Sequence, residues 1–119
     1  MRLYHRTTTE AAKSVLATGF RDGTDTYMTR REYSGVWLSD VPLDENEGAF
    51  GDVVLLVDIP LTDGELAAYE WVEEQKPYRE FLVPALVANR AGLTVLSDEE
   101  VEDASVRWLQ ERGGTKLLG

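Results

Sequence analysis

Gly51-Asp52-Val53-Val54-Leu55-Leu56-Val57-Asp58-Ile59-Pro60 is the stretch whose reading sets the fold class. It is apolar, rich in β-branched residues, and bounded by a glycine and a proline, so it reads as a strand. The remaining elements follow outward from it. Upstream, Arg2-Leu3-Tyr4-His5-Arg6 reads as a short strand whose alternation puts Leu3 and His5 on one face. Thr8 or Thr9 can cap a helix through Ala11, Ala12, Val15 and Leu16. Gly19 ends that helix and Phe20 folds back as its apolar contact. Residues 21–34 are polar and glycine-containing and read as a long loop. Gly35-Val36-Trp37-Leu38-Ser39-Asp40 reads as a strand, and Pro42 with the acidic run to Glu47 as a turn or short helix.

Downstream, residues 62–75 read as a helix with a poor apolar stripe. Residues Arg79 to Pro84 read as a strand, and Leu93 to Leu96 as another. Ser97 and Glu100 form a capping box, after which Val101, Ala104, Trp108 and Leu109 make a buried helical stripe, ended by Gly113. Strands and helices do not alternate regularly, which argues against a doubly wound parallel sheet. The expected class is α+β, mixed or largely antiparallel, in one domain spanning residues 1–119.

Composition narrows the function classes. The chain has no cysteine, which excludes disulfides, thiolate zinc sites and a cysteine nucleophile. Its formal net charge of −10 speaks against a broad electrostatic grip on nucleic acid or anionic membrane. Arg21, Arg30 and Arg31 are the candidate basic cluster. The opening residues Met1 to Arg6 carry no long apolar run, and no segment is long enough to cross a bilayer. The expectation is a cytoplasmic protein.

Three features carry candidate chemistry. Tyr4-His5-Arg6-Thr7 holds the only histidine; its bland reading is a half-buried ring bonded to backbone. Tyr33-Ser34-Gly35-Val36-Trp37 and Phe50 gather rings around a glycine beside a polar loop, as walls for a planar ligand would. In Tyr78-Arg79-Glu80-Phe81-Leu82-Val83-Pro84, alternation puts Tyr78, Glu80 and Leu82 on one face and Arg79, Phe81 and Val83 on the other. Glu80 is then either a charge guarding an edge strand or a carboxylate held at a cleft.

In their order, these features resemble the His-Tyr-Glu class of ADP-ribosyltransferases, which includes diphtheria toxin and the poly(ADP-ribose) polymerases. Tyr4-His5-Arg6-Thr7 is similar to the family's Tyr-His-Gly-Thr-like opening, and the helix ending at Gly19 to its first helix. Gly35-Val36-Trp37-Leu38-Ser39-Asp40 is similar to Gly-x-Tyr-x-Ser/Ala-Asp. Tyr33 and Phe50 stand where diphtheria-like members carry further rings, and Glu80 stands at the catalytic glutamate. Arg6 replaces the family's glycine and Trp37 its tyrosine. The likeness runs from about residue 3 to residue 84.

The resemblance implies a split β-sandwich with few flanking helices, and NAD as substrate with no metal required. His5, Arg6, Thr7, Tyr33, Trp37, Ser39 and Phe50 would hold the NAD, with His5 on a ribose hydroxyl. Glu80 would stabilise the oxocarbenium-like state as the nicotinamide–ribose bond breaks. The acceptor is unspecified: protein, nucleic acid, small molecule or water. Two alternatives stand beside this one, a non-catalytic NAD or ADP-ribose binding module and an enzyme like the RNA 2′-phosphotransferases.

Overall fold

Strand β1 (Arg2–Thr7) runs through the middle of the sheet rather than along its edge. In the computed structural model, which describes residues 1–26, 32–44 and 49–111, it is followed by α1 (Thr9–Thr18), β2 (Gly23–Thr26), β3 (Glu32–Ser39) and β4 (Val53–Asp58). Then come α2 (Asp63–Leu66), a 3-10 turn (Ala67–Tyr69), β5 (Glu70–Trp71), β6 (Glu80–Val83), α3 (Ala85–Ala88), β7 (Gly92–Leu96) and α4 (Asp98–Glu111). The strands lie in the order β5-β6-β3-β1-β4-β7, with β2 joined to the first half of β3. Every pairing is antiparallel. The class is α+β, as the element order leads one to expect.

Register and burial define two faces, because residues directly opposite on paired strands project to the same side. Leu3, Val36, Leu38, Leu55, Val57, Phe81 and Val83 share the inner face and are almost wholly buried. Ala12 of α1, Phe20, Leu66 of α2, and Ala85 and Ala88 of α3 close over them as one apolar cluster. The outer face carries Tyr4 opposite Ser39, Ser39 opposite Glu80, Trp37 opposite Leu82, and Trp71 opposite Glu80. Helix α4 lies on this side. Its Arg107 and Glu111 act on the Tyr4 hydroxyl, which burial pushes above its ordinary range.

Local chemistry explains the helix ends. Thr8 caps α1, its hydroxyl accepting from the Ala11 amide at 3.1 Å. Gly19, at φ 88°, ends it and returns its own amide to the Val15 carbonyl. The Ser97–Glu100 box opens α4 as expected, with bonds of 3.0 and 3.2 Å.

Several expectations need correction. Residues 62–75 are not one helix. Thr62 and Glu65 cap a single turn in which Leu66 alone is buried, and without an apolar stripe the chain passes into the short strand β5. The polar stretch 21–34 is not all loop: β2 forms because Gly23 to Thr26 pair with Gly35 to Glu32. A short helix, α3, follows Pro84 where none was expected. Leu109 was expected in the buried stripe of α4 but is 54% exposed. The expected turn after Pro42 falls partly, and the Gly113 stop wholly, outside the described residues.

The β1–β3 junction is the thinnest in the sheet. One position is paired there, Tyr4 with Ser39, against six between β1 and β4 and four between β3 and β6. Beyond that pair β1 and β3 part, and the sheet forks.

Candidate functional site

His5 sits at the fork. Its Nδ1 lies 2.8 Å from the Trp37 carbonyl, a bond that extends the ladder by one side chain where the backbone pairing has stopped. A carbonyl only accepts, so Nδ1 carries the proton and Nε2 is left as an acceptor. The ring packs edge-on against Phe20, centroids 5.4 Å apart. Burial pushes the His5 pKa below its ordinary value, and the Trp37 bond opposes that shift without cancelling it.

The sign of the resulting pH dependence is definite. A depressed histidine is neutral when folded and takes up a proton more readily when unfolded. Its contribution to stability is therefore complete above pH 6.5, the ordinary value, and is lost as pH falls toward the folded value. We expect His5→Asn, whose amide can still donate to Trp37, to flatten the loss of melting temperature between pH 7 and 5.5. Parallel wild-type and variant curves over that interval would count against this account of His5.

A cleft of about 340 Å³ opens beside His5. Thr7, Ala11, Ser14 and Val15 wall it on the β1–α1 side, with Gly19 to Arg21 after α1 and Gly35 to Trp37 on β3. The segment from Gly19 to Asp22 is fixed from a distance. Asn89 accepts from the Phe20 amide at 2.6 Å and donates to the Phe20 carbonyl at 3.0 Å, and Asp22 caps the amide of Ala85.

Glu80 lies elsewhere. It faces a hollow of about 110 Å³ between β5 and β6, lined also by Trp71, Glu73, Lys76 and Tyr78. Its carboxylate pairs with Lys76 at 3.0 Å. Its backbone is set by Arg79, whose amide donates to Asp40 and whose guanidinium binds Glu70 at 2.7 Å and Asp63 at 2.8 Å. Strand β6 has β3 on one side and β5 on the other, so Glu80 does not guard a bare edge. Trp37 stands between the two regions. Its backbone holds His5, while its ring meets Trp71 edge-on at 5.5 Å and shares the outer face diagonally with Glu80.

The residues expected to form one NAD cleft are thus divided. His5, Thr7 and Trp37 line the larger cleft. Arg6 turns away from it, donating to the carbonyls of Leu43 and Gly51. Ser39 is 5% exposed and its hydroxyl donates to the Val41 carbonyl at 2.7 Å. Phe50 is 70% exposed and lines neither cavity. The Tyr33 side chain, with Arg30 and Arg31, lies outside the described residues.

Sequence reasoning passed over Trp71, because it sat in an expected helix, and Lys76, whose meeting with Glu80 depends on a turn. Phe20 was read only as the apolar contact folding back after Gly19, although an aromatic just after a capping glycine was the available signal. Among the described residues, no cluster of His, Asp or Glu is arranged to hold a metal ion, and no helix is long and apolar enough to cross a membrane. Compared with known proteins, the chain matches no family model, no curated protein and no solved structure.

Proposed function

We propose that this chain is an ADP-ribosyltransferase of the His-Tyr-Glu type, with a sheet forked in the manner of that family's split β-sandwich. It would act in the cytoplasm on NAD and an acceptor of unspecified class. The observation that carries the reading is the placement of three strands. His5, Trp37 and Glu80 lie up to 75 positions apart in the sequence, yet their strands are consecutive in the sheet as β1, β3 and β6. Trp37 touches both sides of the arrangement, through its carbonyl to His5 and through its outer face toward Glu80.

The roles follow from the chemistry. His5 would offer Nε2 to a ribose hydroxyl, Trp37 would stack on the nicotinamide ring, and Glu80 would face the positive charge that grows as the glycosidic bond breaks. A single NAD meeting both His5 and Glu80 must pass through the fork between β1 and β3, along Trp37.

A second reading is favoured by one observation: Glu80 is ion-paired and outside the cleft that holds His5. On that reading the cleft binds NAD or ADP-ribose without turning it over. The two separate on incubation with NAD and a cell lysate as a source of acceptors. A transferase releases nicotinamide, whereas a binder only raises its melting temperature; neither effect would sink both.

Stacking predicts a further result. A ring pair is typically worth roughly 0.5–1.5 kcal/mol beyond burial, so Trp37→Ala should weaken NAD binding about 2- to 13-fold by calorimetry. Unchanged affinity in a folded variant would place the ring elsewhere.

A further inference from the structure

The segment between β5 and β6, residues 72–79, is fastened to the residues that the proposed chemistry needs. Trp71, at its start, donates its indole N–H to Glu73 at 2.9 Å and rests its ring on Trp37. Lys76 reaches across the turn to Glu73 at 3.2 Å and to Glu80 at 3.0 Å. Its ammonium lies 5.5 Å from the centroid of the Tyr78 ring. Between the two anchors Gln75 takes φ 70°, the left-handed region that a side chain other than glycine rarely adopts. The segment therefore closes over Glu80 through one cation and a strained turn.

Resting on the transferase reading of Glu80, we propose that residues 72–78 form a self-inhibitory latch, held shut by Lys76 on Glu80 and opened when a ligand takes that carboxylate. One ammonium makes both contacts, 3.2 Å to Glu73 and 3.0 Å to Glu80, so a single cation bridges the turn. Partial burial works against the charged ammonium, but the bonds to Glu80 and Glu73 outweigh it and hold Lys76 above the ordinary lysine range. The fastening is weak enough to release. Lys76 retains 31% of its side-chain exposure, and ion pairs this accessible are individually weak and screened by salt. Opening takes the cation off Glu80 without disturbing the Arg79 anchor that fixes the start of β6.

The test compares wild type with Lys76→Met, which keeps the length and removes the charge, and Lys76→Arg, which keeps the charge. The first readout is independent of any activity: the rate at which a glutamate-specific protease cuts the folded protein after Glu73 and Glu74 at low salt. Lys76→Met should be cut about 2- to 10-fold faster than wild type, with Lys76→Arg close to wild type and the difference closing at high salt. Equal rates in all three would overturn the latch.

The second readout is nicotinamide release from NAD at low salt, with a desalted lysate supplying acceptors. Lys76→Met should be faster than wild type by a similar factor. A slower Lys76→Met would overturn the inhibitory role and make Lys76 a helper of Glu80. Faster cutting with no nicotinamide release from any of the three would remove the transferase reading and with it the inhibitory role, leaving only the fastening of the turn by Lys76.

Discussion

Gly51→Ala should cost the protein about 4 kcal/mol or more, a large share of the 5–15 kcal/mol that holds a typical domain together. Gly51 lies at φ 123°, and a Cβ built there would stand 2.0 Å from the Thr7 carbonyl oxygen and 2.7 Å from the Thr8 amide nitrogen. Both neighbours are backbone, so neither can swing aside. They also occupy the point where β1 hands over to the cap of α1. The crossing is tied on either side, by Arg6 donating to the Gly51 carbonyl at 3.2 Å and by Asp52 accepting from the Thr9 amide and hydroxyl. Moving Gly51 would break these ties; leaving it in place would force an impossible contact. Gly64→Ala is the control. The nearest atom to its Cβ would be the Thr62 hydroxyl at 3.9 Å, and it lies in α2, so alanine there should change stability by about 1 kcal/mol or less, on the favourable side. Urea unfolding of the two variants checks the contrast, and a Gly51→Ala as stable as wild type would refute the close crossing.

Glu80→Gln should lower the rate of nicotinamide release about 100- to 1000-fold, the usual cost of removing one electrostatic stabiliser of a charged transition state. Glutamine keeps the shape and much of the hydrogen bonding but removes the charge. An interaction that strengthens only as the positive charge develops is lost from turnover and spared in binding, so NAD affinity should change little. The substitution also frees Lys76 from one of its two partners, which affects the surrounding turn but not the inner core, since Glu80 faces away from Phe81 and Val83. Release is measured at saturating NAD with a lysate present, alongside melting curves for both proteins. Equal rates would take Glu80 out of the chemistry.

The parts of this fold legible in the sequence are those whose signals are local. The β4 strand announces itself by an unbroken apolar run, and α1 and α4 by their caps at Thr8, Gly19 and Ser97. Strand β2 does not, because Gly-Thr-Asp-Thr has no strand-forming pattern of its own and is extended only through pairing with β3. The same division runs through the site. The order His5, Trp37, Glu80 can be read along the chain, but that their strands are neighbours in the sheet cannot, because pairing between distant segments leaves no local mark. Which face each side chain takes cannot be read. It depends on Tyr4 pairing with Ser39 rather than with a neighbour, and a shift of one residue would exchange the faces. The uses of Arg6 and Ser39 were hidden for a related reason: both are consumed by the backbone carbonyls of Leu43, Gly51 and Val41, which lie outside any strand and carry no pairing pattern.

The central position of β1 has a consequence for how the chain is made. Within this domain β1 precedes both of its neighbours, so its edge toward β3 waits for residue 39 and its edge toward β4 for residue 58. The outermost strand of that half, β7, arrives only at residue 96. Until β4 has emerged, a nascent chain presents the more extensively paired edge of β1 uncovered, the kind of segment that holding chaperones recognise. A ribosome that stalls before β4 leaves that edge without its partner.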